Sequence, residues 1–344
     1  MTQDPIAPAH LDEVDRRIVH ALQIHPRAPW RLVGDVLAID PVTAARRWQR
    51  MERERLAWVT AYPRLADTSN AVTAVVEIDT RAGAAPQVAE AIAGQARAVN
   101  VKETAGGRDL VVSVQAPTLQ ELAQFVTLRL ATVPGVTATR MHPVTALPTE
   151  GSSWRLRSLD ADQQVRLERA AASPAGPVRE SGWDAIDARM LTLLSTDGRL
   201  AIRSLAEELG TSVTTAGRRL RRLVGTRISL RCDVARPVSG WPLSAVYFAS
   251  APAHKLRETS HALATVPEVR SCAITAGPHN LIVDVWLRSL HDVHNLEAHL
   301  CARLPPLRVD DRAVVLRTVK HMGRLLDVDG RCRGVVPMDL WSSS

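Results

Sequence analysis

Residues 11–51 read LDEVDRRIVHALQIHPRAPWRLVGDVLAIDPVTAARRWQRM, and residues 183–223 read WDAIDARMLTLLSTDGRLAIRSLAEELGTSVTTAGRRLRRL. Sliding the chain by 172 residues superposes the two without a gap, and 12 of the 41 positions are then identical. Asp12/Asp184, Asp15/Asp187, Arg27/Arg199, Thr43/Thr215, Arg46/Arg218, Arg47/Arg219 and Arg50/Arg222 are among them. A period near 170 residues is far longer than the roughly 20–50 residues of a solenoid repeat. It points to duplication of a whole multi-domain unit.

Each copy opens with three helical patterns. Leu11, Val14, Ile18 and Leu22 form one apolar stripe, with Asp12 and Asp15 near the start, where acids favour the positive end of the helix dipole. Trp183, Ile186, Met190 and Leu194 repeat it behind Asp184 and Asp187. Second helices follow near residues 31–38 and 204–209. The turn after the second of these has Gly210, suited to the left-handed residue past a helix end. In the first copy Ala38 takes that place, at about 1 kcal/mol if the geometry is kept.

Third helices start after Asp40-Pro41 and after Ser212, with Asp40 and Ser212 as N-caps and Pro41 at the first helical position. Ala44, Trp48 and Met51 form the inner face, as do Ala216, Leu220 and Leu223. Thr43, Arg46, Arg47 and Arg50, and in the second copy Thr215, Arg218, Arg219 and Arg222, cluster about a quarter-turn away. Three helices with a tight turn before a basic third one make a helix-turn-helix, whose third helix enters the major groove of DNA. Arg47 and Arg219, nearest the apolar face, could instead brace the fold. Alternating residues 56–62 and 228–232 read as a wing or a linking strand.

The period then changes. Strands at 71–79, 99–104, 110–116 and 136–144 alternate with helices at 85–97 and 118–132, Thr118 and Glu121 supplying a capping box. The second copy repeats this with strands at 243–250, 269–275, 281–287 and 312–320, helices at 253–265 and after 289, and a cap formed by Ser289 and Asp292. The order βαββαβ is ferredoxin-like. The expected fold is therefore α+β, as two copies of a winged helix-turn-helix followed by a ferredoxin-like domain. The modules span 1–64 and 183–238, and the α+β domains 70–146 and 242–322. Residues 147–182, with Ser173-Pro-Ala-Gly-Pro177, form a linker around a short helix at 159–172. Residues 323–344 form a tail without periodicity.

Composition agrees. The 344 residues carry a net charge of +7 and are 46% hydrophobic, a globular chain suited to a polyanionic partner. Almost all the positive charge is Arg, since Lys102, Lys255 and Lys320 are the lysines. No apolar run reaches the length of a membrane span, and the N-terminus lacks a signal-peptide pattern. The four cysteines (Cys232, Cys272, Cys301, Cys332) match no metal spacing and read as reduced thiols or small core residues. His291, His294 and His299 read as a polar helix face, so no metal and no cofactor is expected. No catalytic Ser/His/Asp set, phosphate loop or HExxH motif is present.

The order of domains resembles the Lrp/AsnC family of bacterial regulators. The resemblance is carried by LDEVDRRIVHAL, the Asp40-Pro41 and Leu-Gly-Thr-Ser212 turns, Arg46-Arg47-Trp48, Thr104-Ala-Gly-Gly-Arg-Asp109 and Val133-Pro-Gly-Val136. It implies a cytoplasmic, non-enzymatic transcription regulator that binds double-stranded promoter DNA as dimers or larger assemblies. It also implies an effector, an amino acid or related small molecule, at the turns Gly106/Asp109 and Gly277/Asn280. Asn280 offers no carboxylate to an ammonium group, so the copies differ there. The fused pair departs from the family's usual single unit. The two α+β domains of one chain could pair as a pseudo-dimer, or pair between chains. A rival reading rests on the sirohaem decarboxylases, which resemble the same family and also occur as paired copies. His279-Asn280-Leu281, Trp286 and Arg108 echo them faintly. A third reading is a sensor that no longer binds DNA.

Overall fold

A computed structural model describes residues 11–63, 71–172 and 183–338. The Ser173–Pro177 run of the linker and residues 339–344 of the tail lie outside the described residues. Two compact units result. Residues 1–67 and 155–239 hold both helix-turn-helix modules, and residues 68–154 and 240–344 hold both α+β domains.

In the first unit, module one comprises α1 (Glu13–Ile24), α2 (Trp30–Leu37), α3 (Pro41–Arg53) and β1 (Ala57–Pro63). Module two, past α6 of the linker (Ala161–Ala171), comprises α7 (Ala185–Thr196), α8 (Ile202–Glu208), α9 (Val213–Thr226) and β6 (Ile228–Val234). Asp12 caps α1 by accepting from the Asp15 amide while Asp15 returns the bond, a capping box. Ala38 does adopt the left-handed conformation, at φ 55° and ψ 46°. Asp40 caps α3 through the amides of Val42 and Thr43, and Ser212 caps α9 through that of Thr215. Trp48 and Met51 on α3, and Leu220 and Leu223 on α9, are buried as expected.

The wing strands pair with each other. β1 and β6 run antiparallel in register from Ala57–Val234 to Pro63–Ile228. Arg27 donates to the carbonyls of Gly198 and Leu200 at 2.6 and 2.8 Å, and Arg199 donates to those of Pro26 and Ala28 at 2.6 and 2.9 Å. Gly198 lies so close to β1 that a Cβ would stand 2.6 Å from Val59. The linker is not a free spacer here. The amides of Ser158 and Leu159 donate to Nδ1 of buried His20, and Gln163 of α6 donates to the Val36 carbonyl.

The second unit is built on β2 (Val72–Thr80), α4 (Ala85–Ala93), β3 (Ala98–Ala105), β4 (Leu110–Ala116), α5 (Leu119–Phe125) and β5 (Val136–Thr149). Its other copy supplies β7 (Leu243–Ser250), α10 (Leu256–Leu263), β8 (Val269–Thr275), β9 (Leu281–Leu287), α11 (Asp292–Arg303) and β10 (Arg308–His321). The strand order is β10-β3-β4-β2-β5-β8-β9-β7, and β7 pairs with β10 again, so eight strands close on themselves. Within each copy the order is that of a ferredoxin-like sheet. Between copies, β5 pairs with β8 and β10 with β3. One face of each half-sheet is buried under its own helices, Val76, Ile92 and Leu122 in copy one and Tyr247, Leu263 and Leu296 in copy two. The inner faces meet around Val75, Val111, Phe248 and Val315.

Local expectations need correction at several points. The last strands are longer than the alternation suggested: the extra residues of β5 pair with β8 of the other copy, and those at the start of β10 pair with β7 of its own copy. The helix expected from 253 starts with a 3-10 turn, and the one from 118 ends in a π turn over Val126–Leu130. Ser289 does not cap α11. The Asp292 carboxylate instead accepts from the amides of Arg288 and Ser289. The tail contains β11 (Arg324–Leu326) and β12 (Cys332–Val335), a short hairpin added to β10.

Candidate nucleic-acid interface

The N-caps and buried faces of α3 and α9 fix which residues point outward. On α3 the buried residues are Ala44, Trp48 and Met51. At 3.6 residues per turn, the stripe opposite them is Val42, Arg46, Gln49 and Arg53. All four are exposed, Val42 to 74%. The matching positions on α9 are Thr214, Arg218 and Arg221, also exposed.

The eight expected contact residues therefore divide. Arg46 and Arg218 stand on the outer stripe. Thr43 and Thr215 lie in the first turn, half-buried, beside it. Arg47 and Arg50 turn back onto α1. Arg47 meets Asp12 at 2.6 Å and Asp15 at 3.0 Å, and Arg50 meets Asp15 at 2.5 Å. Module two reproduces this: Arg219 meets Asp184 and Asp187 at 2.7 and 2.8 Å, and Arg222 meets Asp187 at 2.5 Å. Asp15 and Asp187 are buried, so each needs its guanidinium partners. These acids brace the third helix as well as capping the first. The arginines keep about a third or a quarter of their side chains exposed.

Burial pushes the Asp12 carboxyl up, but the Asp15 amide and Arg47 outweigh it and hold it below its ordinary value. Burial likewise raises Asp184, and Arg219 leads the groups that hold it below. Hydrogen bonds to these acids raise Arg47 and Arg219 further. The face stays cationic. A shallow depression on module one, about 440 Å³, is lined by Asp12, Asp15, Arg46, Arg47, Arg50 and Arg53.

Sequence reasoning missed Val42, Gln49, Arg53, Thr214 and Arg221. The signal was present in the spacing from the apolar residues, but arginine identity between copies drew attention to the flank.

The effector turns are built alike. Asp109 accepts from the amide and hydroxyl of Thr80 at 2.7 and 2.9 Å through Oδ2. Asn280 accepts from the Ala251 amide at 3.0 Å and donates to the Ala251 carbonyl at 2.8 Å. Each side chain ties its turn to the end of the first strand of its own copy. Gly106 needs its positive φ of 114°, whereas Gly277 packs on the ring of His142, with a Cβ placed 2.8 Å from Nδ1. Of the residues behind the rival reading, Arg108 pairs with Glu77 and Asp311, and His279 lies 3.3 Å from Asp310. His291, His294 and His299 are exposed around α11. No helix among the described residues is long and apolar enough to cross a membrane.

The AsnC-type helix-turn-helix domain matches residues 11–52 and 184–224, and the Lrp/AsnC ligand binding domain matches 73–153 and 244–325. The chain belongs to the Lrp/AsnC family. It is a DNA-binding regulator of that family with the two-domain unit present twice. This Lrp/AsnC chain is 28% identical over 147 residues to the HTH-type transcriptional regulator FL11 of Pyrococcus abyssi, covering 42% of this chain and 95% of FL11. It is 29% identical over 141 residues to the regulator AldR of Mycobacterium tuberculosis, covering 40% and 78%. Each match has the length of one unit. Most relatives found come from Pyrococcus, so the expected bacterial origin gains no support from them. Among solved structures, the siroheme decarboxylase NirDL is similar over 90% of this chain and 93% of its own, with TM-score 0.57 and 11% identity. That likeness concerns the fold.

Proposed function

We propose that one chain reads two unequal half-sites of a DNA duplex, working in the cytoplasm as a sequence-specific regulator. The observation that carries this reading is the pair of outward stripes on α3 and α9, held in one unit by β1–β6 pairing and the Arg27/Arg199 exchange. Arg46 and Arg218 occupy equivalent positions and suit guanine O6 and N7. Gln49 suits adenine, where Arg221 suits guanine, and Val42 suits a thymine methyl where Thr214 has a hydroxyl. Arg53 and the half-exposed Arg47, Arg50, Arg219 and Arg222 suit phosphates. The operator is then two related half-sites rather than a palindrome. Selecting bound duplexes from a random pool tests this. The expected product has two half-sites that differ opposite Gln49 and Arg221, and Gln49→Arg brings them closer to identity. A pool without enrichment would overturn the reading.

The effector part of the proposal places an amino acid or related small molecule at the Gly106/Asp109 turn. Asp109 keeps Oδ2 on Thr80 and offers Oδ1 to an ammonium group. The Gly277/Asn280 turn has no such charge, so the first copy is the one that responds. Calorimetric titration with amino acids, and its loss in Asp109→Asn, tests this.

A second reading is favoured by the NirDL likeness across both copies: an enzyme acting on sirohaem. CO2 release from added sirohaem by the purified chain would support it.

A further inference from the structure

We propose that the pairing faces of the two α+β domains fit each other but not themselves, so that they close within one chain and reject the same domains of a second chain. The inference rests on the second unit alone and stands apart from DNA reading. The two copies are related by a shift of 171 residues in these domains, since the pairs Ala74–Pro143 and Ala245–Val314 occupy the same place in each. A pairing that were self-complementary would repeat each cross-copy contact at positions 171 apart. The charged ones do not repeat.

Lys102 of copy one meets Asp284 of copy two at 2.7 Å, both largely buried. Their counterparts are Ala273 and Ser113. Arg108 of copy one meets Asp311 of copy two at 2.6 Å, and the counterparts are His279 and Arg140. Arg317 of copy two lies opposite Glu103 of copy one across β10–β3 and reaches Glu90 at 2.7 Å and Glu103 at 3.3 Å. In the matching β5–β8 pairing, Ala146 lies opposite Ile274, with His261 in place of Glu90. Buried Lys320 of copy two donates to the Gln95 carbonyl of copy one, and its counterpart is Thr149.

The alternatives follow directly. Two first copies paired together would set Arg108 against Arg140, leave Lys102 facing Ser113, and leave Glu90 and Glu103 facing Ala146. Two second copies would set Arg317 against Ile274 and His261, and leave Asp284 against Ala273. Each homotypic pairing strands charges that the heterotypic one neutralises, and charges removed from water without a partner are strongly disfavoured.

The test uses full-length chains. Thr104 and Val315 face each other across β3–β10. A chain carrying both Thr104→Cys and Val315→Cys is expected to form a disulfide within itself. Two co-expressed, differently tagged chains, one with Thr104→Cys and the other with Val144→Cys (the counterpart of Val315, which pairing of two first copies would set against Thr104), are expected to form no cross-chain disulfide above the background of the native cysteines. A cross-chain disulfide in that mixture overturns the proposal, whatever the overall oligomeric state. In parallel, Lys102→Glu and Asp284→Lys should each lower the melting temperature by several degrees, and the double variant should recover most of the loss. Additive losses without recovery would overturn the electrostatic basis.

Discussion

Arg27 and Arg199 change places: each leaves its own helix-turn-helix module and donates two hydrogen bonds to the loop that carries the other. Burial pulls both guanidinium groups below their usual pKa. Arg199 also lies 4.3 Å from the centre of the Trp30 ring, a cation–π contact that its twin cannot repeat, because Ile202 stands where Trp30 would be. The relationship ties the two helix-turn-helix modules to each other.

Arg27→Ala removes two charge-assisted bonds to carbonyl groups. The expected loss is about 3 kcal/mol of stability, from roughly 1.5–3 kcal/mol per such bond. Binding to an operator of fixed spacing should weaken, whereas binding to a single isolated half-site should change little. Denaturant titration and fluorescence anisotropy measure the two effects.

The division among the arginines predicts opposite phenotypes on one helix. Asp15→Ala leaves Arg47 and Arg50 without their buried partner and should cost about 3 kcal/mol of stability. Arg46→Ala touches nothing inside and should leave the melting temperature within a degree or two of the unchanged chain. Calorimetry on both variants decides the matter. Equal destabilisation by the two would show that the outer stripe has been misplaced.

Ala38 sits in the left-handed region, where a side chain costs about 1–2 kcal/mol and glycine costs nothing sterically. Ala38→Gly frees the unfolded chain by about 0.4–1 kcal/mol in the opposite direction. The expected net effect is a gain of up to about 1 kcal/mol, visible as a higher melting temperature.

Much of the fold was legible because the same pattern occurs twice. Asp40-Pro41, Ser212 and Gly210 marked the helix starts and the turn by local chemistry alone, and the apolar stripes gave the inner faces. The pairing of β1 with β6 and the closure of eight strands were not legible, since strand alternation says which face is buried and not which strand lies alongside. The candidate site was half legible. Arg46 and Arg218 follow from helical spacing, but the second role of Asp12 and Asp15 depends on how α1 crosses α3, which no local pattern encodes.

Burial, with the charge of Arg155 added, lowers His20 to a pKa of about 4 from 6.5. Its Nδ1 accepts the amides of Ser158 and Leu159, which requires the neutral ring. The unfolded chain therefore takes up this proton first on acidification. Stability from His20 is complete above pH 6.5 and falls towards pH 4, by about 1.4 kcal/mol per unit. Unfolding free energies across that range should show the slope, and His20→Gln should flatten it.

Affinity for a selected operator, measured by anisotropy for the unchanged chain and for Arg46→Ala, Arg218→Ala and their double variant, tests the reading of both stripes most directly. Each single variant should weaken binding by about 1–3 kcal/mol, roughly tenfold to a hundredfold, and the double should lose more. A double variant that folds normally and binds with the affinity of the unchanged chain would contradict the account.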